Sequence, residues 1–180
     1  DYILQSGARI FSANNVVDTE HDAIKGAQAL KEVSIEDLLP RDEIRVDLES
    51  VAESLRGKRI LITGSAGSIG SEIVRQVASF APSKMMLIDS AETPQHDICR
   101  MMAHDFPSVP CATVVTSITK ADRMENIFKT FLPEYVFHAA AYKHVPMMED
   151  NPCESIQNNV LGTKILADLS VKYGVRRFVM

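Results

Sequence analysis

The fold class predicted for this 180-residue chain is α/β, a doubly wound parallel sheet, and three observations predict it. The first is a strand-like run, Ile60–Thr63, that feeds a glycine-rich turn, Gly64–Gly70, and then a helix-like stretch. The second is another apolar run, Met85–Asp89, which ends in a carboxylate. The third is the alternation of strand-like and helix-like segments without a break from Arg59 onward. Helices as crossovers make the sheet parallel and its connections right-handed.

In chain order, residues 1–33 hold a short apolar start, a polar stretch and a helical-looking His21–Val33. That is too little to close a core, and it reads as the tail of a preceding domain. Ser34 can cap a short helix carrying Ile35, Leu38 and Leu39, which Pro40 stops. Asp47 caps a second helix, Leu48–Arg56, and Gly57 ends it. Residues 34–57 are therefore an N-terminal helical connector, and 58–180 are the main domain. Strands are expected at about 59–63, 85–89, 112–116, 135–139 and 176–180, and helices at about 68–80, 91–105, 120–131 and 153–173. Ile60 to Thr63 are all β-branched or leucine, as a strand covered on both faces requires. Ile69, Ile73, Val74 and Val77 recur at helical spacing, so the first crossover helix runs to about Phe80, before Pro82.

The glycine turn has a chemical reading. Gly64 permits the tight turn, Gly67 lets backbone approach a pyrophosphate, and Gly70 lets the helix pack on the sheet. The first helical turn directs its unpaired N–H groups and its positive dipole end at the phosphates. Asp89 stands near the spacing at which an acid takes the adenosine ribose hydroxyls, and a carboxylate there favours NAD over NADP by repelling a 2′-phosphate. The competing reading of Asp89 is a helix-capping acid. The fold is thus a Rossmann-type sheet with strand order 3-2-1-4-5, its ligand crevice at the carboxyl ends between strands 1 and 4.

A second signature is "VFHAAAYKHVPMMEDNP" at Val136–Pro152. Ala139, Ala140 and Ala141 are small enough for a flat cofactor to lie against the backbone. Lys143 at the rim could bond ribose hydroxyls or balance phosphate charge, and its plainer reading is a solvated lysine. His138 is expected as a satisfied strand-end residue, and His144, with Tyr142, near the substrate. No third ligand stands at metal spacing, so no metal is expected.

Composition agrees with an ordinary globular domain: 46% hydrophobic, 24% charged, net charge −5. That charge argues against a nucleic-acid partner. No apolar stretch reaches membrane length, so no direct membrane insertion by this chain is expected. Cys99, Cys111 and Cys153 form no CxxC pair and read as reduced, intracellular, partly buried thiols. A chain opening on "DYILQSG" reads as a piece of something longer. An uncovered strand 5 would invite pairing with a second chain, hence a homo-oligomer.

These motifs, with "NNVLGT" at Asn158–Thr163, "IEDLL" upstream and "GSIGSEIVRQ" in the turn, resemble the extended short-chain dehydrogenase/reductase superfamily. The wording is most similar to its polysaccharide-biosynthesis branch of nucleotide-sugar 4,6-dehydratases and epimerases, such as those acting on UDP-N-acetylglucosamine, over about residues 33–180. The resemblance implies a full-length NAD-dependent lyase or epimerase with a UDP-sugar substrate. It also implies a cytoplasmic-facing location and, in some members, anchoring in the inner membrane by helices absent here. Carried over by motif, Gly64, Ser65, Gly67, Ser68, Ile69 and Gly70 would face the pyrophosphate, and Asp89 with Ser90 the ribose. Ala139 to Ala141, Lys143 and Asn158 would line the nicotinamide half. Asn159 is open between that role and a structural amide. Where relatives carry an Asp-Val or Asp-Ile pair toward adenine, this chain has Ser117–Ile118. In the family the acid and base lie in a Ser/Thr-Asp-Lys segment and a Tyr- or Met-xxx-Lys helix, expected after Met180. Tyr142 stands beside Lys143, not four positions before a lysine, so no catalytic residue is expected within the chain. A 4-epimerase and a non-enzymatic NAD-sensing module of the same fold remain the alternatives.

Overall fold

Strand β1 (Arg59–Thr63) sends alternate side chains into two cores, and that alternation organises the molecule. The computed structural model describes Phe11–Ser12, Lys31–Glu32 and residues 47–180. The chain divides between Val46 and Asp47 into two units. In the first, Phe11–Ser12 and Lys31–Glu32 pair as short antiparallel strands. Lys31–Glu32 thus leaves the helix expected over His21–Val33, because the ladder takes its backbone groups. The rest of that helix and the expected helix after Ser34 lie outside the described residues.

The second unit opens on α1 (Leu48–Leu55), where the Asp47 carboxylate accepts the Ser50 N–H at 3.1 Å. Then follow β1, α2 (Ser68–Ser79), β2 (Lys84–Asp89), α3 (Glu92–Asp105), β3 (Cys111–Val115), α4 (Ala121–Phe131) and β4 (Tyr135–His138). The five-stranded parallel sheet has the order β3-β2-β1-β4-β5, with β5 at Arg177–Val179, as the sequence predicts. Ile62 stands level with Leu87 on one side and Phe137 on the other; Thr63 stands level with Ile88 and His138.

Ile60, Ile62, Met85 and Leu87 meet Leu55, Val74, Val77 and Ile98 on one face of the sheet. Leu61, Ile88 and Val136 meet Met124, Phe128, Leu166 and Leu169 on the other. Helices α1 to α3 thus cover one face and α4 with the last helix the other. A central strand buried on both faces accounts for the lack of polar alternation in β1. Ile69 departs from the predicted stripe: it is 67% exposed, since only Val74, Val77 and the half-buried Ile73 reach the core.

After β4 a short helix, α5 (Val145–Asp150), comes first, and the helix expected over 153–173 is then observed as one continuous helical run: α6 (Pro152–Ser155), a π-helical turn, Ile156–Gly162, which the sequence did not foresee, and α7 (Thr163–Lys172). Pro152 can start a helix but not continue one, which separates α5 from α6. The π turn presents two neighbouring amides, Asn158 and Asn159, toward the segment leaving β4. The thiols differ from expectation as well: Cys111 is half-buried, but Cys99 and Cys153 are exposed, and all three are free. Burial, with Cys99 nearby, pushes the Cys111 thiol up to about 11.

Candidate functional site

At the carboxyl ends of β1, β2 and β4, beside the point where the strand order reverses, a crevice of about 230 Å³ opens between the segments that leave the strands. Gly64, Ala66 and Gly67 form the wall that leaves β1. Ile88, Asp89, Ser90 and Ala91 continue it from β2, and Thr116, Ser117 and Ile118 close the far end beyond β3. Ala139, Ala140, Ala141 and Tyr142 form the opposite wall, with Asn158 behind them.

The first wall is shaped by missing side chains. Gly64 has φ +68°, and a Cβ there would lie 2.6 Å from the Ala139 carbonyl and the Ala140 nitrogen. A Cβ on Gly70 would run into the Gly64 carbonyl, so α2 meets the turn backbone to backbone. Helix α2 is capped by Gly67, with no side-chain cap and no acid in its first turn. Its leading N–H groups therefore keep their capacity for an anion. The Asp89 carboxylate accepts the Ala66 N–H at 3.0 Å and the Ala91 N–H at 2.9 Å. It thus both begins the turn into α3 and retains lone pairs on the crevice side.

The second wall is held by side-chain amides. Asn159 accepts the Tyr142 N–H at 2.8 Å and donates to the Tyr142 carbonyl at 2.9 Å. Asn158 donates to Asn159 Oδ1 at 2.9 Å and to the Ala140 carbonyl at 3.4 Å. Below them His138 links β1 to the start of α7, with Thr63 Oγ1 2.7 Å from Nδ1 and Thr163 Oγ1 2.8 Å from Nε2. Burial holds this imidazole below its ordinary pKa, so it stays neutral.

Of the residues the sequence singled out, six do not line the crevice. Ser65 is fully buried, its hydroxyl turned into the fold toward Gln95. Gly70 lies beneath the turn, and Ile69 points outward. Ser68 and Lys143 meet at the rim, where Nζ donates to the Ser68 hydroxyl at 3.5 Å. His144 is exposed at the start of α5. Ser117 lines the crevice, but its hydroxyl oxygen already accepts the Thr119 N–H at 3.2 Å, and Ile118 is buried. Sequence reasoning missed Ala66, Ile88, Ala91 and Thr116. Each adjoins a residue it had named, and the path of the chain beyond each strand decides which neighbour faces inward. Among the described residues no cluster of three metal-binding side chains occurs, and no helix is long and apolar enough to cross a membrane.

The family described as "Polysaccharide biosynthesis protein" matches residues 60–180, and this span contains both walls of the crevice. The chain belongs to that family. The capsular polysaccharide biosynthesis protein CapD of Staphylococcus aureus is 38% identical over 175 residues, covering 97% of this chain and 29% of that relative. A UDP-N-acetylglucosamine 4,6-dehydratase (inverting) of Campylobacter jejuni is 30% identical, over 68% of this chain and 35% of the enzyme. Among solved structures, the UDP-glucose 4-epimerase of Thermotoga maritima, determined with UDP-glucose, superposes with TM-score 0.58 at 30% identity. It covers 67% of this chain and 36% of that one. The Bordetella bronchiseptica enzyme WbmG, in complex with NAD and UDP, gives TM-score 0.56 at 29% identity, over 66% of this chain and 35% of that one. This family member thus spans only 29–36% of the length of these relatives, and its architecture is that of nucleotide-sugar dehydratases and epimerases.

Proposed function

We propose that this chain is the NAD-binding portion of a nucleotide-sugar 4,6-dehydratase that acts on a UDP-N-acetylhexosamine in polysaccharide biosynthesis. The observation that carries the reading is the crevice itself. On one side a bare backbone turn and an uncapped helix start suit a diphosphate; on the other three alanines leave room for a flat ring. Between them Asp89 keeps acceptor capacity for ribose hydroxyls and adds a negative charge where NADP would bring its extra phosphate. NAD, when bound, supplies reversible hydride acceptance. Lys143 and Ser68, which meet at the rim, would hold the ribose or phosphate of the same ligand. Asn158 and Asn159 tie the alanine wall to the π turn. Tyr142, 45% exposed, and His144 stand on the side where a sugar would enter.

The acid and base are assigned outside these 180 residues. No tyrosine or methionine in the sequence stands four positions before a lysine. Two arms test the proposal. Calorimetric titration should give binding of NAD with weaker binding of NADP; heat from neither refutes the cofactor reading. Incubation of the full-length protein with UDP-N-acetylglucosamine should produce a species lighter by one water in the mass spectrum. A UDP-sugar 4-epimerase is the second reading, favoured by the epimerase likeness, and it would interconvert sugars without change of mass.

A further inference from the structure

Gln95 is a buried side chain to which the cofactor reading gives no work. It stands in the first turn of α3 and is 2% exposed. Its two polar ends are both bonded across the fold. Oε1 accepts the Ser65 hydroxyl at 2.8 Å, and Nε2 donates to the Leu87 carbonyl at 2.9 Å. Beside that bridge the Ser65 N–H bonds the Ile88 carbonyl at 3.2 Å, and the Ala66 N–H bonds Asp89 Oδ2 at 3.0 Å. Two successive residues of the glycine turn are therefore stitched to three successive residues of β2. Gln95 is the stitch that draws in a third element, α3.

The consequence lies one residue further along. Ser65 stands between Gly64, which cannot move toward Ala139, and Ala66 and Gly67, which line the crevice. Holding Ser65 from below leaves the turn one position, and that position sets where Gly67 and the leading N–H groups of α2 point. We propose that Gln95 is a positioning residue for the diphosphate half of the cofactor site, acting through Ser65 and touching no ligand itself. The proposal rests on the cofactor reading above.

The test compares ligands that do and do not reach the turn. For Gln95→Met, calorimetry should show NAD and ADP bound roughly fivefold to tenfold more weakly, the value of the bond to Ser65, which of the two bonds lost is the one that reaches the turn. Adenosine, which reaches Asp89 but carries no phosphate, should bind as to the wild type when titrated by NMR at millimolar concentration. Ser65→Ala should give the same pattern. The double variant should lose little more than either single one, because both remove the same bond. Ser65→Ala carries the test should Gln95→Met fail to fold. Equal weakening of adenosine and ADP overturns the proposal, as do additive losses or unchanged NAD affinity in both variants. A wild type that binds none of the three ligands refutes the cofactor reading and this inference together. Binding by the wild type with unaltered variants refutes the inference alone.

Discussion

The two walls of the crevice reach the same end by opposite means. The glycine wall is defined by what is absent: no Cβ at Gly64 or Gly70 and no side-chain cap at Gly67. Its shape is a property of backbone packed on backbone, which has no alternative rotamer to visit. The alanine wall is defined by what reaches it: Asn158, Asn159 and, beneath them, His138 and Thr163. A wall of the first kind fails by collision and a wall of the second by loss of a bond, so damage to each should differ in size and in reach.

The largest effect belongs to the glycine wall. Gly64→Ala must place a Cβ 2.6 Å from three backbone atoms of Ala139 and Ala140, at a φ of +68° that L residues avoid. Neither neighbour is a flexible side chain that could move aside. The left-handed conformation and the overpacking together should cost ~2–5 kcal/mol, read as a fall in the urea midpoint or as insoluble protein. Because the clash is with the opposite wall, hydrogen exchange should quicken on both sides of the crevice. An alanine variant as stable as the wild type would show that the walls are not locked together at Gly64.

Asn159→Asp should be smaller and one-sided. The carboxylate keeps an acceptor for the Tyr142 N–H but sets a second oxygen against the Tyr142 carbonyl, where an amide now donates at 2.9 Å. Because Tyr142 is exposed, water can take over that carbonyl, and the lost bond should cost about 0.5–1.5 kcal/mol. Exchange of the Tyr142 amide should quicken, while that of Ala66, held by Asp89, should not. Equal loosening of both amides would mean that the walls are one cooperative unit and that the contrast between them is only descriptive.

The two walls also differ in how readily the sequence discloses them. The glycine wall was legible because its physics is local: a strand, three glycines and an acid are each explained by residues within one crossover. The parallel sense of the sheet followed for the same reason, since every crossover is a helix, and the order 3-2-1-4-5 followed from the Rossmann reading of the glycine turn. The alanine wall was half legible. Three alanines in a row after a strand announce space, but the π turn that aims Asn158 and Asn159 comes from tertiary bonds to Ala140 and Tyr142 that no periodicity records. Ser65 comes with the glycine motif, but where its hydroxyl turns is set by Gln95, 30 residues away, and no local pattern announces that contact. Gln95 itself reads from sequence as one more polar helix residue.

The smallest expected effect is a slope. Thr163 Oγ1 donates to the Asn159 carbonyl at 2.7 Å, so it must accept from His138 Nε2–H. That leaves Nδ1 as acceptor for the Thr63 hydroxyl, and the relay from β1 to the π turn is complete only with neutral imidazole. Burial depresses the native pKa below the ordinary value of 6.5. The sign follows: as pH falls below 6.5 the unfolded chain takes up a proton that the native protein refuses, so stability present above that pH is lost toward the lower native pKa. Removing the imidazole removes this dependence while leaving every other titrating group in place. The stability advantage of the wild type over His138→Gln, from urea midpoints, should therefore be constant above pH 7.5 and shrink steadily between pH 6.5 and pH 5. A pH-independent difference would mean that His138 accepts a proton in place, with Thr63 turning its oxygen to meet it. The alanine wall would then rest on Asn158 and Asn159 without the histidine beneath them.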